Sequence, residues 1–451
     1  MNRQCIVLCL LMSGPAASVG SAEDRPPNVI MILADDLGSV DLNCYGSKDL
    51  ATPVLDRLAA RGVRFTQCYA AAPVCSPSRA AFITGLYPQR AGVPGNVPRN
   101  VEGGMPTSAR TAAEVFAAHG YATAHVGKWH LGHHASKLPN GQGFEQSFGH
   151  HGGCIDNYSH FFYWSGPNAH DLWRDGREVF HDGEYFPDLM AQEAIRFVEA
   201  HPDESFFLYW ALNTPHYPLQ GTDKWRRHYN DLPSPRSMYA AFVSSTDEVI
   251  GRIVRRLDEL GLTQNTIVVF QSDHGHSTEE RTFGGGGSSG PYRGAKFSLF
   301  EGGIRVPAII SWPGQIPEGE VRDQLVTGCD WLPTTISLAG LRDDGTYDGR
   351  DVSAVIRSQT AASPHDSFHW QSGGSARGPQ WAVRRGDWKL IGNPNDTSVT
   401  HKPRKPLNDT RFLVNLRQSV SESRNLADEY PDVVKELEKL HDEWIQNVGQ
   451  R

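Results

Sequence analysis

The chain has 451 residues, enough for one large domain with a small companion or for as many as three domains. Apolar residues make up 39% and charged residues 21%, so a sizeable core is available and disorder is excluded as the general state. A net charge of −8 argues against a general nucleic-acid binder and leaves room only for a local basic cleft.

The N-terminus carries Arg3, an apolar run at 5–12, small residues at 20–22, then Glu23 and Asp24. This order predicts a secretory signal peptide over 1–22, because the run is far below the ~20 residues of a membrane span. No later run is long enough either. The mature chain is therefore expected to be exported, periplasmic or secreted, with no stable membrane association. Removing the signal takes Cys5 and Cys9 and leaves Cys44, Cys68, Cys75, Cys154 and Cys329. Five is odd, so in an oxidising compartment at least one stays unpaired or serves another purpose.

Strand-like and helix-like segments then alternate. A near-continuous apolar run predicts a buried strand over 28–34. Helices are expected over 52–62, with Pro53 in the first turn, and over 108–119, stopped by Gly120. A strand at 121–126, a helix at 189–200 and a strand at 206–213 follow. A long amphipathic helix at 238–260 precedes strands at 266–271 and 306–312. This alternation predicts a doubly wound α/β domain over 23–365. From residue 366 the texture changes to short strands at 368–370, 381–384, 388–391 and 411–415, then a charged helix at 431–447. This predicts a small C-terminal α+β subdomain over 366–451.

Polar clusters fall where predicted strands end: Asp35-Asp36, Lys128-Trp129-His130, Thr214-Pro215-His216 and Asp273-His274-Gly275. In open α/β sheets the ligand crevice lies outside the carboxyl ends of the strands. Asp35, Asp36 and Asp273 would converge there and repel one another, and a hard divalent cation, Ca²⁺ or Mg²⁺, resolves that repulsion. His274 is a less natural ligand for such an ion; its alternative role is a hydrogen bond to a carboxylate or to substrate. Cys75 precedes a predicted helix at 80–84, with Arg79 one turn on. On position alone Cys75 is either an activated thiolate or a buried structural cysteine.

Cys75-Ser76-Pro77-Ser78-Arg79, followed by 80–85 (AAFITG), resembles the signature of the type I sulfatases, C-x-P-S-R with T-G downstream. The agreement continues in order. Segments 27–29 and 34–38 resemble the family's N-terminal strand. Segment 127–132 (GKWHLG) resembles its second signature. Segments 293–296 and 301–307 resemble a later block, and 387–390 a C-terminal strand. The resemblance spans nearly the whole mature chain. It implies an alkaline-phosphatase-like fold, sulfate-ester hydrolysis, and oxidation of Cys75 to formylglycine by a generating or maturase enzyme. It places Asp35, Asp36, Asp273, His274 and the Cys75-derived group on one Ca²⁺. Arg79, Lys128, His130, His216 and Lys296 fall on sulfate-binding and proton-transfer positions. Many members carry Asn where His274 stands.

Segments 152–160, 174–176 and 208–220 look similar to the arylsulfatase B and N-acetylgalactosamine-sulfatase branch, which implies a sulfated carbohydrate. Candidate subsite residues are His150, His151, Asp156 and His160, in a segment that is otherwise an aromatic insertion packing on itself. His276 and Arg293 flank the Gly-rich loop at 284–290 and could reach substrate. Two other readings stay open: a phosphonate or phosphate ester hydrolase of the same superfamily, and a non-catalytic glycan-binding homologue.

Overall fold

Asn28–Ala34 forms a strand buried on both faces, and its side chains alternate between two cores. Val29, Met31 and Leu33 join one, Ile30, Ile32 and Ala34 the other. The computed structural model describes residues 25–99, 102–164, 166–375, 378–398 and 409–449; the expected signal peptide, with Cys5 and Cys9, lies outside them.

Around that strand lies an eleven-stranded mixed sheet. Its centre runs Thr266–Ser272, Asn28–Ala34, Phe206–Ala211, Ala122–Lys128 and Gln146–His150, all parallel. Arg305–Ser311 enters antiparallel between Thr266–Ser272 and Gly62–Tyr69, which makes the sheet mixed. Helices Cys75–Thr84, Ala112–Ala118 and Trp331–Leu338 cover one face. Helices Pro53–Ala60, Phe186–Ala200 and Arg236–Glu259 cover the other. This is the doubly wound arrangement expected from the alternation.

The departures from expectation are local. The helix expected from 108 begins only after Thr111, whose side chain accepts from the Glu114 N–H while Glu114 caps Thr111 in return. Gly62 does not end a helix; it opens the strand Gly62–Tyr69. That strand escaped notice because Arg64, Thr66 and Gln67 interrupt its apolar pattern. The strand Gln146–His150 escaped for a different reason. Gly149 sits so close to Gly127 that a Cβ there would lie 1.8 Å from its carbonyl oxygen, so a glycine is needed where a strand former would be expected.

The C-terminal segment forms a four-stranded antiparallel sheet, Ser367–Ser375, Gly378–Arg385, Trp388–Gly392 and Arg411–Asn415. Phe368, Trp370, Ile391 and Phe412 pack on Tyr69, Ala81, Tyr87 and Phe300 of the large sheet's surroundings. Val383, Leu390 and Leu413 pack on Leu437 of the helix Pro431–Val448. Among the described residues, all five cysteines are free. No helix there is long and apolar enough to cross a membrane.

Candidate active site

Backbone bonds carry the parallel ladder past the strand ends and fix the polar clusters relative to one another. The Asp273 N–H donates to the Ala34 carbonyl and the Asp35 N–H to the Thr214 carbonyl, both at 2.9 Å. The Trp129 N–H donates to His150 and the His130 N–H to His151. Asp36 and His130 both adopt left-handed backbone, at φ 64° and 57°. Such conformations persist only where surrounding structure over-determines them.

The helix Cys75–Thr84 runs into this edge with every residue buried. Its small residues Ala80 and Ala81 allow close packing, and Gly85 ends it in left-handed conformation at φ 69°. Ser78 Oγ donates to the Asp273 carbonyl, so the helix start is tied to the sheet. Cys75 Sγ then lies 3.4 Å from His274 Nε2 and 3.8 Å from Asp35 Oδ1.

Three cations answer three carboxylates. Lys128 Nζ is 2.6 Å from Asp35 Oδ2. Lys296 Nζ is 2.9 Å from Asp36 Oδ1. Arg79 bridges Asp35 and Asp273 at 3.3 and 3.1 Å and donates to the Lys128 carbonyl. His216 Nε2 lies 3.8 Å from Asp36, while its Nδ1 is held 2.7 Å from the Tyr217 carbonyl.

The cations do not satisfy the cluster. Burial, with Asp35 and the Cys75 sulfur adding to it, lifts Asp36 to about 7 against the pull of Lys296 and His274. Burial likewise lifts Asp273 to about 6. Burial opposes a charged His274, but Asp273 and the Cys75 sulfur outweigh it and raise it to about 9. Burial also opposes a Cys75 thiolate, but Lys128 and Lys296 outweigh it and bring the thiol down to about 5. Asp35 is held well below its ordinary range: burial resists, and Lys128 and Arg79 prevail. Burial and nearby cations hold His130 and His216 well below the usual imidazole value, so both rest neutral.

One donor atom each from Asp35, Asp36, Cys75 and His274 lies within 4.8 Å of the others. Asp273 Oδ1 is 3.4 Å from His274 Nε2. Elevated carboxylate pKa values and a set weighted toward oxygen are what a hard divalent cation would relieve, so the residues fit one.

A cavity of about 1060 Å³ opens on this cluster. Cys75, His130, His216 and Lys296 line it at the cluster end. Arg79 and Lys128 do not line it and reach the cluster from behind Asp35. Of the subsite candidates, His151 lines the wall, stacked 5.1 Å from Trp173. The others stand elsewhere. His150 is buried against Phe186. Asp156 accepts from the Tyr158 and Ser159 N–H groups and from Gln220, closing a turn. His160 is turned toward Glu184 and His170. His276 is buried beside Gly287, and its backbone carbonyl accepts the Lys296 N–H. Arg293 pairs with Asp396 at 2.7 Å and lies over Phe300, joining the C-terminal segment to the main body. Sequence reasoning missed Arg99, His133, Trp164 and Phe297, which also line the cavity. Only His133 carried a signal, three residues beyond His130.

A buried cysteine with a lowered pKa, a cation-ready carboxylate cluster and neutral histidines around one cavity are the parts of a hydrolase for esters of oxyacids. Residues 27–341 match the sulfatase family, and residues 294–443 match the family described as N-sulphoglucosamine sulphohydrolase, C-terminal. The chain belongs to the sulfatase family and is a sulfuric ester hydrolase. It is 37% identical to N-acetylgalactosamine-6-sulfatase of Sus scrofa, over 79% of this chain and 71% of that protein. It is 36% identical to human (Homo sapiens) arylsulfatase A, over 83% and 76% of the two chains. The solved structure of Ps i-CgsB in complex with k-i-k-neocarrahexaose matches with a TM-score of 0.82 and 29% identity, over 93% of each chain. The phosphonate monoester hydrolase of Agrobacterium radiobacter, at 19% identity and a TM-score of 0.66 over 92% and 94% of the chains, shares the fold.

Proposed function

We propose that this enzyme removes sulfate from a sulfated carbohydrate, with Cys75 oxidised to formylglycine and one Ca²⁺ held by Asp35, Asp36, Asp273, His274 and the Cys75-derived group. The observation that carries the proposal is the cavity. It joins Cys75 and Lys296 to walls of Phe162, Trp164 and Trp173, with Arg99 and His133 among them. Aromatic faces suit sugar rings, and the cationic and imidazole groups suit an anionic sugar. The glycan-bound relative and the N-acetylgalactosamine-6-sulfatases support the same substrate class.

Bound in place, the cation and the aldehyde hydrate would supply a Lewis-acid contact to the ester and a nucleophile of lowered pKa. The chain's own residues do the rest. Lys296 is the ammonium that reaches the cavity, and it neutralises charge on the sulfate oxygens. Arg79 and Lys128 act as positioning groups, fixing Asp35 and Asp273 from the protein side. His130, neutral at rest, suits a proton acceptor. His216 suits the proton donor to the departing alkoxide. Burial, with Lys296 adding to it, depresses its pKa, and an anionic ester beside it would raise that pKa by the opposite charge effect. Maturation would require a formylglycine-generating or maturase partner, and the residues before 23 would direct export.

The test is a panel of defined sulfated mono- and disaccharides, with aryl sulfate and aryl phosphate controls and a chelator arm. Sulfate release from a sugar, faster than phosphate hydrolysis and lost on chelation, is expected. Faster phosphate hydrolysis would overturn the substrate class. A thiol retained at Cys75 in protein from its own host, read by mass spectrometry, would overturn the formylglycine step.

A further inference from the structure

A second cluster of metal-binding side chains stands outside the catalytic centre. One donor atom each from His160, His170 and Asp182 lies within 4.8 Å of the others. His160 is fully buried and His170 is 9% exposed, while Asp182 lies at the surface. They come from three places in the chain. His160 precedes the strand Phe161–Phe162, His170 ends its partner Ala169–His170, and Asp182 sits in the turn before the helix Phe186–Ala200.

The hydrogen bonding of the two imidazoles is asymmetric in the same way. His160 Nε2 lies 3.1 Å from the Glu184 carbonyl, and its Nδ1 is buried with no partner. His170 Nδ1 lies 2.9 Å from Glu178 Oε1, and its Nε2 is buried with no partner. A carbonyl or carboxylate can only accept. In the neutral form of either ring the engaged nitrogen therefore carries the proton, and the other presents a lone pair. This is the outer-shell pattern of metal-bound histidine, in which an oxygen acceptor fixes tautomer and ring orientation. A buried ring nitrogen left without a partner is otherwise costly.

We propose that His160, His170 and Asp182 form a second metal site, selective for a borderline divalent transition metal such as Zn²⁺ over Ca²⁺. Two imidazoles and one carboxylate match the ligand types of that ion, and water would complete four-coordination. Zn–N bonds of ~2.0–2.1 Å put tetrahedral donors about 3.4 Å apart, a closure that the exposed Asp182 side chain can make. The site has a structural consequence. The hairpin between His160 and His170 carries Phe162, Trp164, Pro167 and Ala169 of the cavity wall. A metal at its base would staple that wall to the turn before Phe186–Ala200.

The test is titration of the full chain in excess Ca²⁺, which fills the catalytic centre. Co²⁺ is followed by its visible absorption and Zn²⁺ by calorimetry and by the unfolding midpoint. One saturable equivalent is expected, with a rise in midpoint that grows with Zn²⁺ concentration. His170→Gln and Asp182→Asn should each weaken binding by at least about tenfold. Glu178→Gln, which touches only the outer nitrogen of His170, should weaken it about 10-fold. Asp182→Asn alters a surface side chain, so it tests the site even if His170→Gln fails to fold. No saturable Co²⁺ or Zn²⁺ binding, or binding unchanged in Asp182→Asn, would overturn the proposal.

Discussion

At the carboxyl edge of the large sheet, Lys128 and Lys296 are buried against Asp35 and Asp36. Between the two sheets, Lys389 is buried just as completely against Glu301 and Glu422, at 2.8 and 3.0 Å. Three of the chain's ten lysines are spent on these two clusters. The clusters differ in how their oxygens are used. Around Lys389 the set is closed. Glu301 also accepts from the Tyr69 hydroxyl and Arg305, Glu422 also accepts from the Glu301 N–H, and Arg384 bonds Tyr69. At the sheet edge the carboxylates crowd Cys75 and His274 and open on a cavity. Burial lifts one carboxylate in each cluster, Asp36 and Glu422, to about 7, so an elevated pKa alone does not separate them. A buried ion pair is thus a poor marker of function by itself. A buried charge cluster that opens on a cavity is the better one.

The largest effects should separate the clusters cleanly. Cys75→Ala should abolish turnover while leaving far-ultraviolet circular dichroism unchanged, because the hydrogen-bond partners of the side chain, Asp35 and His274, keep other partners. Chelation should do the same to the wild type, and added Ca²⁺ should restore it. If the variant keeps measurable sulfate release, the nucleophile lies elsewhere and the comparison collapses.

The lysines sharpen the contrast. Lys296→Ala should lower kcat by about 10²–10³, like the loss of one preorganised oxyanion donor. With Ca²⁺ bound, Asp36 keeps a neutralising partner and the unfolding midpoint should move little. Lys389→Met should do the reverse. It strands two buried glutamates and should cost about 3–5 kcal/mol in denaturant unfolding, with kcat per folded molecule unchanged. Equal losses of kcat in the two variants, at equal folded fraction, would show that the clusters are one functional unit.

Much of this contrast was present in the sequence without being readable there. The residues that lie in one run, Cys75 with Arg79 and Lys128 with His130, declared themselves because spacing along a helix or past a strand end is local information. Glu301 and Lys389 fell within recognisable blocks too, yet nothing local says that they meet across 88 positions. The cavity wall was the least legible part. Arg99, His133 and Trp164 come from separate irregular segments and converge only through tertiary packing. Conversely, Asp156 and Arg293 look functional by type, but one closes a turn and the other bonds Asp396. Cysteine parity required at least one unpaired cysteine but could not say which. All five described cysteines are free, so oddness singles out none of them. What distinguishes Cys75 is two lysines drawing its thiol down to about 5, whereas burial pushes Cys154 up to about 11.

A third region supplies the smallest effect, because it buries neutral rings in place of charge. His369 and His441 stack with Trp444, at 5.3 Å in both cases, and His441 stacks 4.3 Å from Trp381. Burial holds His369 down to about 3, with the neighbouring His441 adding to it. Burial holds His441 down to about 4, with Arg411 adding to it. In the unfolded chain both would titrate near 6.5. Above that pH neither state binds the protons and the rings cost nothing. Between about 6.5 and 4 the unfolded chain binds protons that the folded chain refuses, so stability falls with falling pH, by up to about 1.4 kcal/mol per pH unit for each ring. Other buried histidines, His125 and His150 among them, slope the same way, so the share of one ring must be read as a difference. His441→Gln removes one titrating ring and keeps a polar side chain. The stability that wild type loses between pH 7 and pH 5 should exceed the variant's loss by about 2 kcal/mol in denaturant unfolding. Identical losses would mean that His441 is protonated inside the folded stack. The aromatic region would then be a third charged cluster, and the contrast between closed and open charge would have to be redrawn to include it.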